Sequence, residues 1–149
     1  MQKKTFLILI TILVGMCSII YELLISTTSS YFLGNSVQQF SLIIGFYMAF
    51  MGLGAYFSKL FKENLIYNFI LIELLLGLVG AFSVPLCYVY ILYADFVGFN
   101  LFVFLVISII GILTGLEVPL LTRILEYDYD LKDNISNILS FDYLGALIA

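Results

Sequence analysis

Histidine and tryptophan are missing, cysteine and proline occur twice each, and only 11% of the residues carry a charge. Each shortage removes a class of function. Two cysteines without any histidine define neither a metal site nor a disulfide framework. Cys17 and Cys87 both fall in apolar runs and read as small buried hydrophobes. No glycine loop for phosphate, no nucleophile–base pair and no metal cluster occurs, so neither a metal nor a cofactor is expected. The six Lys and Arg are spread along the chain and form no basic stripe, which argues against nucleic acid as a partner. The acids are scattered too, so the formal net charge of −4 identifies no partner.

What is present is hydrocarbon. Of the 149 residues 63% are hydrophobic, against roughly 45–50% in a soluble domain, which also carries about 25% charged residues. A chain this short leaves much of its surface exposed, so one core cannot hide the excess. The surrounding solvent must be lipid, and the expected class is an all-α, polytopic membrane protein.

The start, "MQKKTFLILITILVGMC", has the look of a secretory signal. Its apolar run continues to about Ser26, however, beyond the roughly 7–15 residues of a signal core. Met16 in place of a small residue before Cys17 argues against a lipoprotein site. The segment is expected to be a retained helix. Four stretches reach the roughly 20 residues that a span needs: about 5–26, 41–61, 65–92 and 99–125. They constitute one transmembrane helical domain over 1–149. A partial fifth run, about 135–149, rises only about 18 Å from Ile138, at about 1.5 Å per residue. That is too short for a hydrocarbon layer of about 30 Å. The expectation is four transmembrane helices plus a truncated fifth, from a chain that once continued or whose partner supplies the rest. An interfacial helix is the alternative, but the polar face of Asn134, Ser136, Asn137 and Ser140 lapses after Asp142.

Orientation follows from the basic residues. Lys3 and Lys4 precede the first run, Lys59 and Lys62 join the second to the third, and Arg123 and Lys132 follow the fourth. If the runs alternate, all six lie on one side. The opposite loops, 28–39 and 93–98, have none. The positive-inside rule then places the N-terminus in the cytoplasm, with Tyr88, Tyr90 and Tyr93 near the outer interface. The expected location is the cell membrane, multi-pass. Small residues recur at three- and four-residue steps: Ser41, Gly45, Ala49 and Gly52; Gly77, Gly80 and Ala81; Ser108, Gly111 and Gly115. Such ridges let helix backbones approach in lipid, so Gly45, Ala49, Gly111 and Gly115 are expected packing positions.

Every run except the second carries one acid: Glu22, Glu73, Glu117 and Asp142. None has a basic residue three or four positions away. An ionised group at the bilayer centre costs roughly 2.5–3.5 kcal/mol even on the lenient scale, so it faces a bundle interior or a partner. By depth, Glu73, Glu117 and Asp142 fall in the inner half and Glu22 toward the outer face. These four form the candidate intramembrane polar site, either hydrogen-bonded structural acids or cation ligands. Glu117 has the stronger functional case. Pro119 lacks an N–H, which frees the carbonyl of Gly115, and free carbonyls beside a carboxyl suit a cation. Pro119 and Pro85 both read as kinks, which membrane helices tolerate. The sequon Asn134-Ile135-Ser136 falls on the cytoplasmic side. "EYDYDLKD" lacks the glycine and terminal glutamate of a calcium loop.

Three blocks together carry a resemblance. "GMCSIIYELLISTTSSYFLGNSVQQFSLIIGFYMAFMGLGAYFSK", "GLEVPLLTRIL" and "FDYLGALIA" resemble, in order and rough spacing, the N-terminal membrane region of membrane-anchored spermidine synthases. The matching positions are Tyr21-Glu22-Leu23, Gly34-Asn35-Ser36, Gly115-Leu116-Glu117 with Pro119, and Asp142-Tyr143. The resemblance implies polyamine biosynthesis. It also implies a cytosolic Rossmann-like domain that transfers an aminopropyl group, with a glycine-rich loop and catalytic aspartates. No such loop lies in this sequence, so no catalytic residue is assigned. Gly54, Lys59 and Lys62 partly match the loop between helices 2 and 3 of major-facilitator transporters; Ser58, Phe61 and Glu63 depart from it. The plainer account is two positive-inside anchors, with Glu63 spaced to pair with Lys59. The reading is the membrane part of a spermidine-synthase-like protein, not catalytic alone. The alternative is a transporter-like protein that binds or moves a cation or polyamine. Expected partners are the lipid bilayer and the remaining helices and catalytic domain of a split protein, or further copies of the chain.

Overall fold

The computed structural model describes residues 2–93, 95–125 and 131–149, with side chains from Ile8 in the first helix and from Ile135 in the last. The side chains of Lys3, Lys4, Lys132 and Asn134, and the acidic tract 126–130, lie outside the described residues. The described residues form helices α1 (Gln2–Leu33), α2 (Ser36–Phe57), α3 (Leu65–Tyr90), α4 (Phe96–Leu125) and α5 (Leu131–Ile148), with a 3-10 turn at Ser58–Leu60. No strand occurs among them. Four apolar spans, Ile8–Leu33, Ser36–Leu60, Leu65–Tyr90 and Phe96–Leu125, are long enough to cross a membrane. Their 25 to 30 residues correspond to about 37–45 Å of helix, more than the hydrocarbon layer needs. The apolar part of α5, Ile135–Ile148, is shorter. Leucine, phenylalanine and tyrosine side chains cover the outside of the bundle.

Helix α1 differs from the sequence expectation at its end. It runs past Ser26 through "TTSSYFL" to Leu33, and α2 begins at Ser36 rather than near Ser41. The hydroxyl residues do not break the helix because they find acceptors beside it. Thr27 Oγ1 donates to the Leu23 carbonyl at 2.7 Å, and Ser29 Oγ donates to Gln39 Oε1 at 3.0 Å in a buried contact. Such back-bonding satisfies a hydroxyl within a helix. The reversal is then compressed into Gly34 (φ 70°) and Asn35 (φ 48°). Both are left-handed, a region glycine enters freely and asparagine tolerates. Asn35 also caps α2, accepting from the Gln38 amide. At the far end of α2 the chain leaves helical geometry at Phe61. The spacing that would bring Lys59 to Glu63 therefore ends, and Lys59 Nζ stands 4.2 Å over the Tyr56 ring instead.

The largest interface joins α2 to α4, the next α1 to α5, and α3 packs on α4. Glycine decides how closely the first two pairs approach. A Cβ on Gly115 would collide with the Met51 carbonyl, and one on Gly54 with the Ile112 carbonyl. In the α1–α5 pair, Gly145 meets the Ile12 carbonyl and Gly15 the Asp142 carbonyl. Gly111 adds a contact to Tyr47, one turn from the Gly115–Met51 contact on both helices, so α2 and α4 run parallel. The expected ridge on α2 is displaced. Gly45 and Ala49 are exposed, nothing lies within 4 Å of a Cβ built on Gly45, and Gly54 does the packing. Where α1, α3 and α4 end or start near the tyrosines, Phe32 meets Tyr88 and Phe99 edge-to-face at 4.9 and 5.6 Å. At the opposite end Arg123 donates to the carbonyls of Ser58 and Phe61 at 2.9 and 3.0 Å, clamping α4 to the end of α2.

Candidate functional site

Among the described residues the buried apolar side chains form two clusters. One contains Ile25, Ile43, Leu76, Phe99 and Ile110; the other contains Val14, Ile72, Leu116, Leu120 and Ile138. Polar side chains lie at the seam on each helix that crosses it. On α4 the first cluster stops at Ile110 and the second starts at Leu116, with Thr114 between them and Glu117 next in line. On α3, Glu73 lies between Ile72 of one cluster and Leu76 of the other. On α1, Ser18 and Glu22 fall between Val14 and Ile25. Glu117 is six residues before Arg123, so it lies about 9 Å along the helix from that basic end.

Glu117 is the most enclosed of the four acids. It is 2% exposed, and its Oε1 atom has no hydrogen-bond partner. Glu73, Asp142 and the Cys17 thiol lie within electrostatic range of its carboxyl. Among the described residues no cation acts on that carboxyl to offset its desolvation, which costs several kcal/mol for an ion in a dry site. Thr114 Oγ1 is buried beside it, likewise without a partner of acceptable geometry. The Tyr47 hydroxyl nearby is engaged with Ser18 Oγ at 2.6 Å, which links α2 to α1.

Glu117 and Asp142 line one cavity of about 350 Å³. Its base comes from Ser18 of α1 and from Thr114, Gly115, Glu117, Val118 and Pro119 of α4; Met48, Met51, Gly52 and Ala55 of α2 form one wall, and Leu139, Asp142 and Tyr143 of α5 the other. Among the described residues the backbones of the walls, α2 and α5, do not approach closely, so the space between them is a cleft. Asp142 reaches it because α5 rides close on α1: a Cβ on Gly15 would stand 2.8 Å from Asp142 Oδ1. Glu73 is not in this cleft. It lines a second cavity of about 380 Å³ with Val14, Cys17 and Phe69, where α3 faces α1. Glu22 is buried separately, at 7% exposure, within range of Tyr47. Glu117 and Asp142 therefore share the cleft, Glu73 lines the neighbouring cavity while still acting on Glu117 electrostatically, and Glu22 is not among the groups acting on Glu117.

Pro119 and Gly115 also line the cleft. Pro119 cannot donate to the Gly115 carbonyl, yet α4 continues without a break through it, as α3 does through Pro85. Pro85 is exposed and lines neither cavity. Among the described residues no group of three or more His, Cys, Asp or Glu is placed to hold a metal ion. Sequence reasoning missed Gly15, Gly54 and Gly145, the positions that bring the cleft's walls against its base. Their only signal was glycine itself, and Gly45 carries the same one without a contact.

Comparison with known proteins bears on this architecture. Over 98% of its length the chain is 44% identical to the polyamine aminopropyltransferase of Leptospira interrogans, of which it covers 29%. It is 38% identical over 98% of its length to polyamine aminopropyltransferase 2 of Ralstonia nicotianae, again covering 29%. Its homologues are polyamine aminopropyltransferases. A third, polyamine aminopropyltransferase 2 of Aquifex aeolicus, is 36% identical over the whole chain, which spans 30% of it. The chain thus spans less than a third of these polyamine aminopropyltransferases. No family model and no solved structure matches it.

Proposed function

We propose that the chain is the membrane-embedded part of a spermidine-synthase-like protein, a multi-pass helical domain of the cell membrane with its N-terminus in the cytoplasm. In this reading it holds polyamine biosynthesis at the membrane and transfers no aminopropyl group itself. The observation that carries it is similarity along the chain's whole length to a minor share of each aminopropyltransferase, combined with four bilayer-length apolar helices. Lys59, Lys62 and Arg123 gather where α2 ends, α3 starts and α4 ends, which favours that end as the cytoplasmic one.

Two measurements test the proposal. The chain is expected in the membrane fraction after alkaline carbonate extraction. In a background carrying Cys17→Ser and Cys87→Ser, Leu60→Cys and Tyr93→Cys probe opposite ends of the bundle. Both positions are exposed, at 76% and 85%. An impermeant maleimide added to intact cells should label position 93 and spare position 60. Recovery in the soluble fraction overturns the membrane reading, and the reverse labelling overturns the orientation. Purified chain is expected to form no aminopropylated product.

A second reading, that the bundle binds or moves a cation, is favoured by one observation. Glu117 is a buried carboxyl with an unpartnered oxygen, and it lines the base of a cavity one wall of which carries a second acid.

A further inference from the structure

We infer that the outer face of α2 and the adjoining cleft form a docking surface for a further transmembrane helix, one that residues 1–149 do not contain, carrying an amide or hydroxyl donor at the depth of Glu117. The inference rests on the reading of the chain as the membrane-embedded part of a larger protein and names where the next helix packs.

The first observation is a helix face of the wrong size for lipid. Ser41, Gly45, Ala49 and Gly52 are all exposed and, at about 100° per residue, fall on one side of α2. That side is opposite Gly54, whose missing Cβ admits the α4 backbone. Nothing lies within 4 Å of a Cβ built on Gly45 or Gly52. The outward faces of α3 and α4 are made differently: they present Leu74, Leu78, Phe82, Leu101 and Leu105. Small residues forgo dispersion contact where only lipid faces them and regain it where a second backbone comes close. Helix α2 therefore has two packing faces, and α4 occupies one.

The second observation is polar. Met48, Gly52 and Ala55 carry the α2 face into the cleft, whose base holds Glu117. That side chain is 2% exposed and its Oε1 has no hydrogen-bond partner. An unmet polar atom within hydrocarbon is costly. A neutral N–H or O–H on a neighbouring helix satisfies it without bringing a charge into the bilayer.

Dimensions set the manner of docking. With its side chains a helix is about 10–12 Å across, more than a cleft of about 350 Å³ admits. The helix lies along the mouth, over Gly45, Ala49 and Gly52, and sends one polar side chain inward. A second copy fits less well, because the outward faces of α3 and α4 present leucine and phenylalanine, which donate no hydrogen bond. The relatives are long enough to supply the helix: the chain spans 29% of two of them and 30% of a third.

The test uses purified chain in lipid vesicles and synthetic leucine–alanine helices of about 24 residues, enough to span the bilayer. One peptide carries Asn six residues from a terminal lysine pair, the spacing of Glu117 from Arg123; the other has Leu there. Energy transfer is measured from a dye on Leu60→Cys, in the Cys17→Ser and Cys87→Ser background, to an acceptor on that lysine end. Peptide levels are kept low enough that the peptide alone stays monomeric. Saturable transfer is expected, with the Leu peptide about five- to thirtyfold weaker, the loss of one interhelical hydrogen bond. Glu117→Leu should erase the difference between the peptides. Gly52→Leu, at a position where a Cβ meets nothing within 4 Å, should keep the wild-type circular dichroism spectrum and bind neither peptide. Gly77→Leu, at an equally open glycine on α3, should bind as wild type does. Absence of saturable transfer, equal affinity for the two peptides, or wild-type binding by Gly52→Leu overturns the inference. Disulfides between Gly45→Cys chains that form without peptide and are blocked by Gly52→Leu also overturn it, by giving the face to a second copy. Carbonate extraction of the same vesicles separates the two failures. A chain released from the lipid overturns the membrane reading, whereas one that stays and binds no peptide overturns the docking alone.

Discussion

Replacing Gly115 by alanine isolates the contact on which the bundle's largest interface depends. The added Cβ would press on the Met51 carbonyl and stand 2.8 Å from its carbon and 2.9 Å from Met51 Cα, where ordinary contacts begin at 3.4 Å. All these atoms are backbone, so no side-chain rotation relieves the overlap. The helices must separate, and Gly54 against Ile112, on the same face, loses contact with them. Overpacking of this kind costs about 1–3 kcal/mol. Alanine also favours the helical state by about 1 kcal/mol over glycine, which partly masks the loss. Gly45→Ala removes that ambiguity. It makes the same chemical change on the partner helix, where a Cβ meets nothing within 4 Å. The propensity gain cancels between the two variants, leaving the steric term. Unfolding in mixed micelles, followed by circular dichroism as the SDS fraction rises, should place Gly115→Ala below Gly45→Ala by about 1–3 kcal/mol. Gly45→Ala itself should equal or exceed wild type. Equal stability of the two variants would refute the assigned interface.

Other consequences are as direct. Gly145→Ala should loosen α5 from α1 by the same mechanism, since its Cβ would strike the Ile12 carbonyl; amide exchange should rise in α5 and stay unchanged in α2. Arg123→Gln removes a cation that donates to Ser58 and Phe61 and should cost about 2 kcal/mol, with Arg123→Lys intermediate because lysine lacks the fork; the same micelle titration measures both. Tyr47→Phe deletes the 2.6 Å bond to Ser18 and should cost about 0.6–1.5 kcal/mol, the range for interhelical bonds in membranes and hydrogen bonds in general. Asn35→Ala should destabilise by about 1–2 kcal/mol through a lost cap and a left-handed alanine, whereas Asn35→Gly should stay near wild type by the same titration.

Composition and order along the chain were enough to establish the helical class, the four bilayer-length runs and the basic end at Lys59, Lys62 and Arg123. These are sums over local properties: apolarity added along a run, and charges counted between runs. The four acids were also legible, because a carboxyl in an apolar run stands out wherever it points. The end of α1 was not, since whether "TTSS" breaks a helix depends on acceptors such as the Leu23 carbonyl and the Gln39 side chain. Nor could the sequence distinguish Gly45 from Gly54, or say which of Glu73 and Asp142 shares a cavity with Glu117. A helix that is apolar all round has no polar stripe to say which face turns inward. In lipid the facing direction is decided by packing alone. Tertiary structure therefore chose which glycines admit a neighbouring backbone, and that choice placed Glu117 and Asp142 on one cleft while leaving Glu73 across α1.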